Sequence, residues 1–119
     1  MPFNDYDVSS TELYNPTTFA FDFDNTISRD INGFVTIMTF LQNRGHTVYV
    51  VTARREEIHP EDFEPILAKG FKVIKTRHIA KRVYMREIEK IEVDVWIDDC
   101  PEAITGNWEH EPRTWRDLK

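Results

Sequence analysis

FAFDFDNT, residues 19–26, is an apolar run carrying two aspartates on alternate positions and closed by Asn25 and Thr26. It reads as a buried β-strand that presents Asp22 and Asp24 at its C-terminal end. Two carboxylates held together are costly, because burial or like-charge proximity raises the pKa of one of them steeply. A metal ion, a shared proton or full solvation has to compensate. The rest of the chain must supply one of these.

Working outward, Ile31, Phe34, Val35, Met38 and Leu41 follow helical spacing, with Asp30 as N-cap and Gly45 as C-terminal stop. His46–Thr52 (HTVYVVT) is β-branched and aromatic, the pattern of a strand buried on both sides in a parallel sheet. Ala53–His59 is charged and reads as loop. Pro60 then opens a short helix with Phe63, Ile66 and Leu67 on its apolar face and a stop at Gly70. Phe71–Lys75 is the third predicted strand. A helix is predicted from about Ile79 to Ile91, supported by Ala80, Val83, Tyr84, Ile88 and Ile91, with Lys81, Arg82, Arg86 and Lys90 turned outward or toward a site edge. Val93–Asp98 is the fourth strand, and beyond Pro101 the signal fades, leaving Ile104–Lys119 as short helix, edge strand or tail.

Strands alternating with helices through short connections predict an α/β fold, a Rossmann-like three-layer domain with a mostly parallel central sheet. The chain of 119 residues fits a single domain, with a core at about 18–105 and peripheral segments at 1–17 and 106–119. Its 40% hydrophobic content is globular, and its 30% charged residues and mean hydropathy of -0.52 predict a well-solvated exterior. No apolar run approaches the roughly 18 residues of a membrane span, and MPFNDYDVSS lacks the features of a secretory signal. The expected location is therefore the cytoplasm, with no membrane partner. Cys100, the only cysteine, has no partner within the chain for a disulfide, which agrees with a reducing compartment.

In open parallel sheets ligands bind outside the carboxyl ends of the strands. Asp22 and Asp24 close the first strand, Thr52 the second, and Asp98 and Asp99 the fourth. If the first and fourth strands are neighbours, about 4.8 Å apart, four carboxylates converge on one small volume. Hard oxygen ligands of this kind suit Mg²⁺. His46, His59, His78 and His110 lack the spacing of a zinc site. With Mg²⁺ present, Asp22 could attack phosphorus, Asp24 could protonate the leaving oxygen and then deprotonate water, and Thr52 could donate to a phosphoryl oxygen. Cys100 is rejected as a nucleophile, since neighbouring carboxylates suppress the thiolate.

The set FDFDNTI, VYVVTAR and VDVWIDDCP resembles, in order and in placement at strand ends, the motifs of the haloacid dehalogenase-like superfamily. The resemblance covers most of residues 19–101. It implies Mg²⁺-dependent phosphomonoester hydrolysis with Asp22 as nucleophile, Asp24 as acid/base and Thr52 on the phosphate. It also implies a metal held by Asp22, the Asp24 carbonyl and Asp98, with help from Asp99. The third motif is a single cation. Lys81 is chosen because it opens the helix leading into the fourth strand, with Arg82 and Lys75 as alternatives. Asn25, Thr26 and Arg54 are expected substrate contacts, although helix-start capping explains Asn25 and Thr26 equally well.

The intervals between motifs hold one helix, or one helix and a strand, so no cap domain is expected and the site should be open. An open site suits a large phosphorylated substrate, or one covered by a second copy of the chain in a homo-oligomer. Eight of the 15 Lys and Arg residues lie between Lys69 and Lys90 beside only two acids, Glu87 and Glu89. A solvated helix face is the plainer explanation of that asymmetry. Taken together with an open site, the asymmetry orders the substrate classes as a phosphorylated nucleic-acid end or a nucleotide first, a phosphoprotein second and a small metabolite third. A phosphoryl-accepting signalling domain without turnover, or a catalytically silent binding module, is the competing class.

Overall fold

The computed structural model of the protein describes residues 14–54 and 60–106. Strand β1 (Thr18–Phe21) leads through a 3-10 turn (Ile27–Arg29) into helix α1 (Ile31–Asn43) and strand β2 (Thr47–Thr52). Helix α2 (Pro60–Ala68), strand β3 (Lys72–Lys75), helix α3 (Lys81–Glu87), strand β4 (Val95–Ile97) and the single-turn helix α4 (Glu102–Thr105) follow. All strand pairs are parallel, in the order β3-β2-β1-β4. The chain therefore winds outward from β1 to β3 and then returns to the other side of β1. Reversal of direction between β1 and β4 makes the carboxyl end of β1 a topological switch point.

Pleating decides what each face carries. Phe21, Val48 and Val50 point to one side and pack with Val35 and Met38 of α1 and Phe63 and Ile66 of α2. Ala20, Val51 and Ile74 point to the other and meet Met85 of α3. Helices on both faces of a parallel sheet give the three layers that the alternation of elements predicted.

Helix α1 has the expected ends. The Asp30 carboxylate accepts the Gly33 N–H at 3.0 Å. At the other end, Gly45 N–H donates to Gln42 O (2.9 Å) and His46 N–H to Leu41 O (3.1 Å). This Schellman arrangement needs the left-handed φ of 100° at Gly45. Asp30→Ala should cost about 1 kcal/mol of stability, read as a lowered urea midpoint with unchanged m-value.

Three expectations need correction. Helix α3 covers seven residues rather than about 79–91, and its buried positions are Lys81 and Met85, while Val83 and Ile88 are 39% and 59% exposed. Reading periodicity from apolar residues alone turned this helix the wrong way, because its innermost first-turn residue is a lysine with buried carboxylate partners. Strand β4 is shorter than Val93–Asp98 and has Val95 at 39% exposure, as befits a sheet edge. Leu67, assigned to the apolar face of α2, is 42% exposed, whereas Phe63 and Ile66 are fully buried. The expectations for residues 1–13, 55–59 and 107–119 lie outside the described residues. Among those described, no helix is long and apolar enough to cross a membrane.

Candidate functional site

The site grows from the end of β1. Asp22 N–H donates to Ile97 O of β4 at 2.9 Å, so the strand ladder carries one residue past β1 before the chain leaves it. It then turns sharply, with Ile27 N–H reaching Asp22 O (3.3 Å) and Ser28 N–H reaching Phe23 O (2.9 Å). Asn25 takes a left-handed φ of 65°, a conformation asparagine tolerates better than most residues, and donates its N–H to Ser28 Oγ at 2.9 Å. The turn folds Thr26 back so that its hydroxyl donates to Asp22 Oδ2 at 3.3 Å.

Pleating places Asp22 on the face of Ala20, and Asp98 on the face of Trp96, which is the α3 side of the sheet. Lys81, the first residue of α3, meets them there. Its Nζ lies 2.8 Å from Asp22 Oδ1 and 2.5 Å from Asp98 Oδ2, and all three side chains are at least nine-tenths buried. The second oxygen of Asp98 accepts the Cys100 N–H at 2.9 Å. Asp99 is exposed, yet one carboxylate oxygen from each of Asp22, Asp98 and Asp99 falls within a 4.8 Å cluster. Of the three candidate cations, Lys81 therefore occupies the site. Arg82 is exposed on the next helical position, and Lys75 ends β3, with β2 between it and β1.

With all three carboxylates ionised, they leave two net negative charges against the one ammonium, which one divalent cation would balance. Because the donor set is all oxygen, it fits a hard ion such as Mg²⁺, and Asp22, Asp98 and Asp99 could hold it. The carboxylate of Asp24 lies elsewhere. It is held by Arg54, whose Nη2 and Nε reach its two oxygens at 2.9 and 3.1 Å. Instead of four converging carboxylates there are three, with Asp24 swung by the turn toward the start of the β2–α2 connection.

Burial pushes Asp22 up to about 7 from 3.8. The Lys81 ammonium pulls the other way, and Asp98 and Asp99 add to the rise. A carboxyl that holds its proton more tightly when folded stabilises the fold fully below its unfolded value. That contribution disappears as pH rises through about 7. In EDTA, the urea midpoint should therefore fall between about pH 4 and pH 7. Asp22→Asn should flatten this part of the profile, and a wild-type slope surviving in that variant would show that another group carries it. Burial is also the main cause that raises the Cys100 thiol, with Glu102 and Asp98 adding to it, so the cysteine is a poor thiolate.

Thr52 is fully buried at the end of β2, and its hydroxyl accepts the Arg54 N–H at 3.4 Å. Asn25, Thr26, Asp98 and Asp99 line an open cleft of about 530 Å³ together with Arg29, Asp30, Phe34 and Ile97. Arg29 and Phe34 were not singled out from the sequence. Phe34 reads there as one more apolar position of a helix, and no spacing marks Arg29.

The basic segment does not form a single stripe. Helix α3 runs back along the sheet, and Lys72 at the start of β3 pairs with Glu89 just beyond α3 at 3.5 Å. Lys75, Arg77, Lys81 and Arg82 are at the site end, whereas Lys69, Lys72, Arg86 and Lys90 lie toward the opposite end. Compared with protein-family models, curated proteins and solved structures, the chain matches none.

Proposed function

We propose that the chain is a Mg²⁺-dependent phosphomonoester hydrolase working through an aspartyl-phosphate, a mechanism similar to that of haloacid dehalogenase-like enzymes. The observation that carries the reading is the buried Lys81 ammonium spanning Asp22 and Asp98, with Asp99 alongside, at the switch point of a parallel sheet. Asp22, Asp98 and Asp99 would hold the cation, which when bound neutralises charge on the phosphoryl group and keeps Asp22 ionised.

An oxygen of Asp22 bonds to phosphorus while the bond from phosphorus to the leaving oxygen breaks, and Asp24 gives that oxygen its proton. Water then attacks phosphorus, returns a proton to Asp24 and releases inorganic phosphate and the Asp22 carboxylate. Lys81 fixes the direction of the attacking carboxylate and offsets charge that builds up on the transferred group. Thr52, at the neighbouring strand end, is assigned to a phosphoryl oxygen.

A phosphoryl-accepting signalling domain is disfavoured by topology. Receiver-like flavodoxin folds order their strands 2-1-3-4-5, with the third strand beside the first. Here β4 lies beside β1, and β3 lies beyond β2.

For the substrate, the open cleft with Phe34 and Arg29 suits a nucleotide or a phosphorylated nucleic-acid end, with a base against the ring. A phosphate-release panel of 3'- and 5'-phosphorylated oligonucleotides, nucleotides, phosphopeptides and sugar phosphates tests this. Preference for the first two, with rates that fall as salt rises, is the expected result. Preference for phosphopeptides or sugar phosphates, or a flat salt response, would replace the substrate class. Silence across the whole panel with Mg²⁺ would overturn the hydrolase reading.

A further inference from the structure

We infer that the site takes the phosphorylated end of a single nucleic-acid strand rather than a free nucleotide, with Arg29, Arg77 and Arg82 meeting the phosphodiesters that follow that end. The inference deepens the hydrolase reading above and rests on it. Three exposed arginines stand at the carboxyl end of the sheet: Arg29 between β1 and α1, Arg77 between β3 and α3, and Arg82 in the first turn of α3. Arg29 lines the cleft beside Asp98 and Asp99. Arg82 follows Lys81, whose ammonium bridges Asp22 and Asp98. The loop that carries Arg77 is laced to the end of β2, with Thr76 N–H donating to Thr52 O at 2.8 Å and Arg77 N–H to Arg54 O at 3.2 Å. Because α1 and α3 cover opposite faces of the sheet, the three cations flank the Asp22 group on both faces and along its β2 side.

None of the three guanidiniums has a carboxylate or ring partner among the described residues. Neighbouring acids do not take them up. Asp24 and Asp62 share Arg54, and Asp30 accepts from the first turn of α1. An unpaired guanidinium fork matches a phosphate oxygen pair in shape and charge. A mononucleotide with its phosphate at Asp22 and its base on Phe34 leaves Arg77 and Arg82 with nothing to contact. A strand repeats its phosphodiester at every nucleotide, so it supplies an anion for each cation without any sequence requirement. Phe34, in the same cleft, offers its ring to an unstacked base, which a single strand presents and a duplex does not.

The test measures kcat/KM on DNA strands of one, two, four and eight nucleotides carrying a terminal phosphate at the 3' or the 5' end, with an aryl phosphate and an acidic phosphopeptide alongside. On the preferred end, kcat/KM should rise about tenfold or more from one nucleotide to four and then level off. Between about 50 and 200 mM salt, the longer strands should show a log-log slope of about -2, from three neutralised phosphates at about 0.7 each. Arg29→Gln, Arg77→Gln and Arg82→Gln should each lower the ratio of octanucleotide to aryl-phosphate kcat/KM about threefold to tenfold and make that slope shallower by about 0.7 to 1. Lys69→Gln and Lys90→Gln, at the opposite end of the sheet, should change neither.

Equal kcat/KM from one nucleotide to eight would overturn the inference in favour of a nucleotide, and faster turnover of the phosphopeptide would give the surface to a protein. A length dependence untouched by the three arginine variants would also overturn it. With a native chain that hydrolyses the aryl phosphate, these outcomes remove this inference alone, whereas a native chain that hydrolyses no phosphomonoester removes the hydrolase reading as well.

Discussion

Asp22→Asn should lower phosphate release from an aryl phosphate by at least about a thousandfold, equivalent to roughly 4 kcal/mol of transition-state stabilisation. The amide has the volume of the carboxylate, and its oxygen can still accept from Lys81, which sits 2.8 Å from Asp22 Oδ1. What it loses is the anionic oxygen that would bond to phosphorus, together with one charge of the three-carboxylate group. The fold should survive, so the loss is a chemical one. Circular dichroism and the urea midpoint check the fold, and initial rates check the chemistry. Full activity of the variant, or wild-type activity that persists in excess EDTA, would remove the nucleophile and the metal from the mechanism.

Lys81→Met should be the most destabilising single change at the site. Methionine fills much of the space of the lysine stem, but it leaves Asp22 and Asp98 without their ammonium in a pocket where both side chains are at least nine-tenths buried. Removing one partner of a buried ion pair typically costs about 3–5 kcal/mol, set against total stabilities of about 5–15 kcal/mol. The loss should depend on pH. Asp22, already raised to about 7 by burial against the pull of Lys81, rises further when that pull is removed. At pH 5 the carboxyl is protonated in either chain, so the missing attraction is mainly that to Asp98. At pH 8 Asp22 has to be ionised without the lysine, or take up a proton at a free-energy cost.

Urea unfolding of the two chains in EDTA should therefore show a larger gap at pH 8 than at pH 5. Adding Asp22→Asn to Lys81→Met should recover part of the loss, because neighbours that share an interaction are not additive. A variant as stable as the native chain at pH 8 would mean that the ammonium does not support the buried acids.

Much of this was legible from local pattern. Apolar runs bounded by Pro, Gly, Asn and Asp marked the strands and helices, since β propensity, capping and turn formation act over a few residues. The acids at 22, 98 and 99 and Thr52 were visible as polar residues ending such runs. Helix α3 was not read correctly, because residue type alone sends a lysine outward. Lys81 points inward because carboxylates from two strands are waiting beneath it.

The amino-acid sequence by itself determined the order of elements, their parallel winding and the acids that the strand ends would display. Each of these follows from short-range stereochemistry and from the two-residue repeat of the pleat. Only the tertiary structure decided that β4 lies beside β1, bringing Asp98 to Asp22 across 76 residues of chain. It also placed the ammonium of Lys81, the cation preferred from the sequence, between Asp22 and Asp98, and sent the Asp24 carboxylate to Arg54 rather than to the other three acids. These outcomes depend on strand order, on which sheet face a helix covers, and on a turn whose direction is set by a left-handed residue at Asn25. None of the three is encoded within a window of a few residues. Each comes from packing, in which burying Lys81, Phe23 and Phe63 is favourable only when distant partners arrive together.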